Sequence, residues 1–275
     1  MMSNLKSPTA TSRARDPAGA ALYSAIADGY DDSYAVPSHR RVYDRLAWEH
    51  VSALPLPRAA HIVDVGCGTG RWIPAWLARG HHVTGIEQAP GMIDVLRRRN
   101  LGSGFSLIET PMENAFLPSQ SADLVLAMGS VQYAADPADM IRRFASWTRP
   151  GGIVCVYVDS LMALILELVR NGQTDKALEM LSTRRGVFRT GHHAATLTLY
   201  DTRLLERHFA DAGLVDARCY GLAVGASAAG RAGCTAAMVA DEDAAMNVER
   251  ALSAEALLAD AGLHILAIGR KPLPA

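Results

Sequence analysis

The sequence predicts an α/β fold, in which a doubly wound and mostly parallel sheet is covered by helices on both faces. Short apolar runs rich in β-branched residues, typical of strands buried on both faces, alternate with helical patterns along the chain. The clearest strand pattern, residues 61–65, leads into Gly66, Gly68 and Gly70 and then into a helical pattern over residues 71–79. A strand, a glycine turn and a helix in this order form the repeating unit of such a sheet.

Length and charge limit the classes of protein. A chain of 275 residues and 29.4 kDa suits one large domain, or one domain with a lid. The net charge of −1 provides no field that would hold nucleic acid or an anionic membrane, so we expect neither partner. The four cysteines show no C-x-x-C spacing, so we expect no metal site, no disulfide framework and a cytoplasmic location.

The N-terminal part divides into a tail and an arm. Residues 1–17 are polar without periodicity, and we expect a disordered tail there. Residues 18–57, called the arm below, are predicted to be helical: Leu22, Ile26 and Tyr30 follow helical spacing in its first half. A second helical pattern follows over residues 39–54 and ends at prolines.

The glycine run predicts a loop against which a ligand lies. Glycine permits positive φ and leaves room where a Cβ would collide with the ligand, and the amides at the start of the following helix face it. The spacing is G-x-G-x-G with Asp64 two residues earlier, which differs from the G-x-G-x-x-G of dinucleotide sites. The next predicted strand, residues 82–86, ends at Glu87, whose carboxylate can accept both hydroxyls of a ribose.

With these features the sequence resembles the class I S-adenosylmethionine-dependent methyltransferase family, whose first motif is D-x-G-x-G-x-G and whose second ends in an acidic residue. The resemblance covers residues 60–158. It implies a Rossmann-like, seven-stranded sheet with the last strand antiparallel, a methyltransferase domain over residues 58–275, S-adenosyl-L-methionine as cofactor and a small-molecule methyl acceptor.

The resemblance also implies which residues bind the cofactor. They are Tyr23, Tyr30, Asp64, Gly66, Cys67, Gly68, Gly70, Glu87, Gln88, Met112, Glu113, Met128 and Gly129. The two tyrosines would close over the cofactor; alternatively, they pack a surface helix onto the sheet. After the third strand pattern, residues 105–108, Pro111 stands where the family has an acidic residue for the adenine. Backbone amides near Met112, with Glu113 as a helper, are the alternative that we expect.

The loop after the fourth strand pattern, residues 123–128, is where the family's substrate approaches the methyl group. Gln132 and Tyr133 in this loop are therefore candidates for the reaction site, although Tyr133 can equally cover the core. Asp136 is expected to cap a helix over residues 138–147, which leads to a fifth strand over residues 153–158.

Residues 160–200, called the lid below, are an insertion predicted to hold helices over 160–170 and 174–183 and then a loop. The first of these helices is apolar on all sides, so either the rest of the lid or a second copy of the chain in a homodimer has to cover it. His192 and His193 in the loop are candidate general bases for a hydroxyl acceptor. An amine acceptor would need no base.

The C-terminal part completes the sheet. We expect a helix over residues 201–212, a sixth strand over 217–224, a loop of small residues over 226–233, a helix over 241–261 and a last strand over 263–268.

The function expected from the resemblance is methyl transfer to nitrogen, oxygen or carbon of a small metabolite, mainly by positioning and desolvation. The abundance of arginine and alanine suggests a bacterial source, and a role in secondary metabolism suits the lid. Two alternatives stay open: a noncatalytic subunit that binds S-adenosylmethionine, and a nicotinamide-dependent dehydrogenase, which the glycine spacing opposes.

Overall fold

The structure is a computed structural model that describes residues 17–274, so most of the predicted tail lies outside the described residues. Nine strands are present in this part of the chain. They are β1 His61–Val65, β2 His82–Glu87, β3 Phe105–Glu109, β4 Ala122–Met128, β5 Thr148–Asp159, β6 Arg185–Thr190, β7 His193–Thr198, β8 Val215–Leu222 and β9 His264–Arg270.

Eleven α-helices are described within the same residues. They are α1 Pro17–Ile26, α2 Asp32–Ala35, α3 His39–Ser52, α4 Ile73–Ala78, α5 Pro90–Arg98, α6 Pro137–Trp147, α7 Leu161–Arg170, α8 Thr174–Thr183, α9 Thr202–Asp211, α10 Val224–Ala240 and α11 Glu242–Ala254. Side-chain N-caps fix the first residues of α6, α7 and α9. The side chains of Asp136, Ser160 and Asp201 each accept a hydrogen bond from the backbone amide three residues later.

Seven strands form one sheet in the order β3-β2-β1-β4-β5-β9-β8. Neighbours from β3 to β5 are parallel, whereas β9 runs antiparallel to both β5 and β8. The predicted Rossmann-like sheet, with its last strand antiparallel, is confirmed. The chain reverses its direction of winding between β1 and β4, and the crevice at the carboxyl ends of strands beside such a switch point is where this architecture binds ligands.

The sheet is buried on both faces, as the unbroken apolar runs require. Val63 and Val125 point into one cluster with Phe144, while their strand neighbours Ile62 and Leu124 point into the opposite cluster. Alternation along the strands therefore supplies both cores, and the ends of the strands are left to build the site.

The second half of the lid differs from the predicted loop. Residues 185–198 form a hairpin, β6 paired antiparallel with β7, so the lid contains two helices and a hairpin. Leu197 and Leu199 are buried while Thr196 is exposed, a period of two that is typical of a half-buried strand. The alternation covers too few residues to stand out among the lid's arginines and histidines.

Residues 226–233 also differ from the prediction, because they belong to α10 rather than to a loop. Alanine, the strongest helix former, outweighs the glycines in this segment. Gly230 alone leaves helical geometry, with φ of 76°. The predicted helix over residues 241–261 ends earlier, at Ala254, and a 3₁₀ turn over Ala256–Ala261 follows it.

Candidate active site

The glycine loop is held close to two neighbouring strand ends. The amide of Gly66 donates to Ile86 O at 2.7 Å, and the Ser130 hydroxyl from the loop after β4 donates to Val65 O. Gly66, with φ of +70°, leaves no space for a side chain, because a Cβ there would lie 2.4 Å from Ser130 Cβ. Gly68, with φ of +57°, has only Met92 Sδ near its Cβ position, at 3.9 Å.

Glu87 at the end of β2 is 8% exposed and is bound by backbone amides. Gly68 N donates to its Oε2 at 2.9 Å, and the amides of Gln88 and Ala89 donate to Oε1, each at 2.8 Å. Burial raises the pKa of Glu87, and the three amides oppose that rise. A carboxylate accepts about four hydrogen bonds, so one acceptor position on Oε2 remains for a ligand hydroxyl.

A cavity next to Glu87 is called the Glu87 chamber. Its walls are largely apolar on the side of β3 and α5, with Ile86, Ala89, Met92 and Met112. The remaining lining residues are Gly19, Ala20, Tyr23, Tyr30, Gly66, Gly68, Gln88, Thr110, Met128, Gly129, Ser130 and Tyr133. The chamber therefore offers flat apolar walls with one carboxylate at the end of β2.

A second cavity lies on the other side of the glycine loop and is called the Asp64 chamber. Burial and the nearby charge of Glu87 raise the pKa of Asp64 to about 7, while Arg71 opposes the rise. Arg71 is already bound to Asp44 through two hydrogen bonds and lies 3.6 Å from the centre of the Tyr34 ring. Asp64 thus remains a buried carboxyl group that a cationic ligand group would ionise.

A third cavity, the His264 chamber, lies between the arm, the lid and the ends of β5 and β9. Aromatic side chains dominate its walls. His264 packs edge-on against Tyr43, with ring centres 4.3 Å apart, and in a tilted arrangement against Tyr157, with ring centres 4.7 Å apart. Its Nδ1 lies 2.7 Å from Oδ1 of Asp159.

The three chambers meet between the arm and the end of β4. Tyr30 and Met128 line all three of them. Tyr23, Gly129 and Tyr133 line both the Glu87 chamber and the His264 chamber. A ligand that extends from Glu87 to Asp64 therefore passes Tyr30 and Met128, where the His264 chamber opens onto it.

The arm closes over this junction through polar contacts. Tyr23 Oη donates to Tyr133 Oη at 3.1 Å, and the Tyr30 and Tyr34 hydroxyls are 3.0 Å apart. Asp31 accepts a hydrogen bond from the Thr69 hydroxyl at 2.6 Å and also pairs with Arg99. Burial raises the pKa of Tyr23 and Tyr30, which keeps both phenols neutral.

The structure brings together most of the residues predicted to bind the cofactor. Those that line the Glu87 chamber are Tyr23, Tyr30, Gly66, Gly68, Glu87, Gln88, Met112, Met128 and Gly129. Asp64 and Cys67 line the Asp64 chamber. Two others lie outside the chambers. Gly70 packs against α5, where a Cβ would meet Leu96 Cδ1 at 2.4 Å, and Glu113 accepts a hydrogen bond from Ala135 N at 3.2 Å.

The four candidate catalytic residues are divided between two places. Tyr133 lines the Glu87 and His264 chambers, and the buried Gln132 lines the latter, where its Oε1 accepts a hydrogen bond from Asp159 N at 2.7 Å. His192 and His193 lie at the exposed turn between β6 and β7, outside the three chambers. A hairpin turn points away from the strands' packed face, which explains this placement.

Sequence reasoning missed several ionisable residues of the third chamber, among them His39, Asp159 and His264. His39 begins α3, and Asp159 and His264 are direct partners in the antiparallel register of β5 and β9. Only the position of Asp159 at the end of a predicted strand was a usable signal. Within residues 17–274, no group of three or more His, Cys, Asp or Glu side chains is arranged to hold a metal ion.

Comparison with known proteins identifies the central segment. Residues 63–156 match the family described as Methyltransferase domain. The chain is 30% identical over 138 residues to the malonyl-[acyl-carrier protein] O-methyltransferase of Yersinia pestis, an alignment that covers 49% of this chain and 48% of the relative. It is 30% identical over 133 residues to the ubiquinone biosynthesis O-methyltransferase of Xanthomonas axonopodis pv. citri, covering 47% and 56%.

These alignments span about half the length of the curated relatives. The fold likeness extends further along the chain. The S-adenosylmethionine-dependent methyltransferase of Mesorhizobium loti superposes with a TM-score of 0.56 at 16% identity, over 82% of this chain and 97% of the other. The matched segment contains the glycine loop, Glu87 and the loop after β4, whereas the whole arm and the whole lid lie outside it.

Proposed function

We propose that this chain is a class I S-adenosylmethionine-dependent methyltransferase that transfers the methyl group of S-adenosylmethionine to an oxygen atom of a small-molecule acceptor. One observation carries the proposal: the three chambers meet at Tyr30 and Met128. A cofactor bound along the glycine loop would have its sulfur at this junction, and the His264 chamber would hold the acceptor beside it.

The Glu87 chamber fits an adenosine group. The free acceptor position on Glu87 Oε2 suits one ribose hydroxyl, and a charge-assisted hydrogen bond of this kind is worth about 1.5 to 3 kcal/mol. Ala89, Met92 and Met112 supply apolar walls for the adenine ring. Because Glu113 is turned towards Ala135, backbone groups near Met112 and the Thr110 side chain are the proposed polar contacts of the ring.

The Asp64 chamber fits the methionine end of the cofactor. An α-ammonium group would favour the ionised form of the buried Asp64 and so stabilise the complex. Gly66 and Gly68 leave the main chain open to the carboxylate and thioether portion, where side chains would collide. The hydrogen-bonded pair of Arg71 and Asp44 closes the far end of this chamber.

The chain's own contribution to the reaction is orientation and exclusion of water. S-adenosylmethionine supplies an already activated methyl group. Tyr23 and Tyr133 close the junction between the arm and the loop after β4 with their hydrogen bond, so that acceptor and cofactor are enclosed together. Holding two reactants in line contributes on the order of 7 to 11 kcal/mol.

The acceptor is proposed to be a small molecule. The balanced charge of the chain, −1 overall, gives no support to a nucleic-acid substrate. No helix within residues 17–274 has both the length and the apolar character needed to cross a bilayer. The names of the two curated relatives both specify transfer to oxygen, which supports an oxygen acceptor here.

We also propose a second copy of the chain as the cover of α7, as expected from its apolar sequence. Leu166 and Val169 on this helix are 53% and 52% exposed, so the rest of the lid does not bury them. Sedimentation equilibrium tests this proposal: a dimer that becomes monomeric in Leu166→Glu supports it, and a monomeric wild type contradicts it.

Calorimetric titration tests the proposed cofactor. The purified chain is titrated in parallel with S-adenosylmethionine, S-adenosylhomocysteine and NAD. We expect micromolar affinity for the first two and no heat with the third, because the glycine spacing and the position of Glu87 suit a single nucleoside. Binding of NAD alone, or of none of the three, contradicts the proposal.

A further inference from the structure

We propose that His264, oriented by Asp159, is the general base of the reaction and that the acceptor is an aromatic hydroxyl compound bound in the His264 chamber. This inference rests on the proposed function and deepens it, since it assigns the acceptor class and the group that takes the acceptor's proton. It moves the role of base away from His192 and His193, which lie at the exposed turn of the hairpin.

The pair is positioned by the sheet itself. Asp159 and His264 stand opposite each other in the antiparallel register of β5 and β9, so their side chains leave the sheet on the same face. Asp159 Oδ1 lies 2.7 Å from His264 Nδ1. The Gln132 side chain accepts a hydrogen bond from Asp159 N, which links the end of β5 to the loop after β4. A carboxylate at Nδ1 selects the tautomer whose Nε2 accepts a proton.

The imidazole ring is held from two sides. Its centre lies 4.3 Å from that of Tyr43 and 4.7 Å from that of Tyr157, and both tyrosines are buried. Nδ1 is enclosed, and Asp159 Oδ1 is its close polar neighbour, in a contact that lacks the alignment of a hydrogen bond. The ring itself lines the chamber. The nitrogen opposite the carboxylate is therefore the one left for a ligand.

The other groups of the chamber leave His264 as its best proton acceptor. Burial, together with the charges of Arg231 and Arg40, lowers the pKa of the second histidine, His39, to about 4, which makes it a weak base. Glu167 Oε1 lies 3.9 Å from Arg231 Nε, so the charges of these two side chains largely cancel in the chamber. Burial raises the pKa values of the phenols of Tyr43, Tyr133 and Tyr157, which therefore stay neutral.

The walls indicate the acceptor class. Tyr133, Tyr157 and Phe188 offer ring faces and edges from the loop after β4, the sheet and the lid, an arrangement that suits a planar aromatic ligand. Carboxylates are already ionised at neutral pH, so they need no base. A phenol does need one, because its oxygen is a much stronger nucleophile once the proton has left.

The proposed step balances as follows. His264 Nε2 accepts the proton of the acceptor hydroxyl, and the oxygen uses the freed electron pair to bond to the methyl carbon. The carbon–sulfur bond breaks and its electron pair stays on sulfur. Asp159 stabilises the imidazolium, which then releases its proton to water.

Four probe acceptors and labelled S-adenosylmethionine test the inference: catechol, 4-nitrocatechol, benzoate and benzylamine. We expect methylation of the two catechols. With catechol, His264→Asn should lower kcat about 100-fold or more, the usual contribution of a general base. With 4-nitrocatechol, which is largely ionised at neutral pH, the loss should stay below about tenfold, because little proton transfer remains to be done. His192→Asn, the matched control, should remain within about twofold of the wild type.

A pH profile separates a base from a merely structural side chain. The wild-type rate with catechol should rise with pH and then level off, whereas the rate of His264→Asn should follow the ionisation of catechol itself. Asp159→Asn is the second variant: a positioning residue should lower kcat about tenfold and shift the midpoint of the profile to lower pH. Affinity for S-adenosylhomocysteine should be unchanged in both variants, which shows that they are folded.

The outcomes distinguish this inference from the proposed function. Loss of S-adenosylmethionine binding in the wild type would overturn the proposed function itself. Normal cofactor binding with methylation of neither catechol, or with equal losses for both catechols in His264→Asn, would overturn the inference alone.

Discussion

The Glu87 chamber and the His264 chamber share Tyr30, Met128 and Tyr133 but are built in different ways. The polar groups of the first come mainly from one strand, loop, helix and strand in succession, and several of them are backbone amides. The second is assembled from side chains of α1, α2, α3, β4, the loop after β4, β5, α7, β6, α10 and β9. A chamber of the first kind holds one ligand across many relatives, whereas the second can change its ligand through single substitutions.

The largest loss of cofactor affinity is expected at Gly66, where the backbone conformation and the space around it both exclude a side chain. In Gly66→Ala the new Cβ would lie 2.4 Å from Ser130 Cβ at a φ of +70°, so the loop must move. Strain and overpacking of this kind cost about 3 kcal/mol, which predicts S-adenosylhomocysteine affinity about 100-fold weaker by calorimetry.

Gly80→Ala is the matched control for that variant. Gly80 has a similar φ of +81°, but nothing lies within 4 Å of the Cβ position. It should lower stability by about 1 kcal/mol in thermal unfolding and leave cofactor affinity unchanged. Equal losses of affinity in both variants would show that backbone conformation alone, and not close approach, explains the loop.

The next effect concerns the ribose contact. Glu87→Ala should weaken cofactor binding about ten- to a hundredfold, since it removes a charge-assisted hydrogen bond and releases the amides of Gly68, Gln88 and Ala89. Glu113→Ala is the control, because Glu113 is turned towards Ala135. A comparable loss in Glu113→Ala would return the adenine contact to Glu113, and unchanged affinity in Glu87→Ala would contradict the ribose assignment.

A smaller effect should appear in the affinity for S-adenosylhomocysteine, which should depend on pH through Asp64. Burial raises the pKa of Asp64 to about 7, so its ionisation is unfavourable in the free protein and stability falls as pH rises towards that value. Pairing with the ammonium group of S-adenosylhomocysteine requires the ionised form, so affinity should rise up to about tenfold between about pH 6 and about pH 8. Calorimetry of Asp64→Asn should show no such rise; an identical rise would exclude Asp64.

The smallest effect should be confined to the acceptor side. Phe188→Ala removes a ring from the wall that the lid contributes, worth about 1 kcal/mol, and should raise KM for catechol about fivefold. Cofactor affinity should not change. Val187→Ala, at the neighbouring and 51% exposed position of the same strand, should behave like the wild type. A loss of cofactor affinity in Phe188→Ala would mean that the two chambers are not separable.

The same difference explains how much the sequence could predict. Most of the sheet's strands and the placement of Glu87 beside the glycine loop follow from patterns that span a few consecutive residues. The antiparallel last strand was implied by the family resemblance. Asp159 and His264 are 105 positions apart in numbering, and only the register of β5 and β9 joins them. The sequence placed His264 in the last strand and His192 in a loop, but no local pattern indicated that His264 lines a chamber.

The lid and α10 show a second reason why parts of the sequence-based prediction were wrong. The hairpin of β6 and β7 carries a short alternation that matters only because α7 and α8 lie beneath it, with Leu161, Ile165 and Leu197 in one small cluster. In α10, the helix propensity of alanine competes with three glycines, and contacts with α11 add to the preference for helix. Tertiary contacts contributed to both segments, and the sequence does not reveal those contacts.

The most direct test of the account is a crystal structure of the chain with S-adenosylhomocysteine. The account predicts adenine beside Met112, a ribose hydroxyl within hydrogen-bond distance of Glu87 Oε2, the ammonium group near Asp64, and the sulfur between Tyr30 and Met128, facing the His264 chamber. A ligand whose sulfur is turned away from that chamber, or whose ribose lies elsewhere than at Glu87, would contradict the central claim that the three chambers hold cofactor and acceptor together.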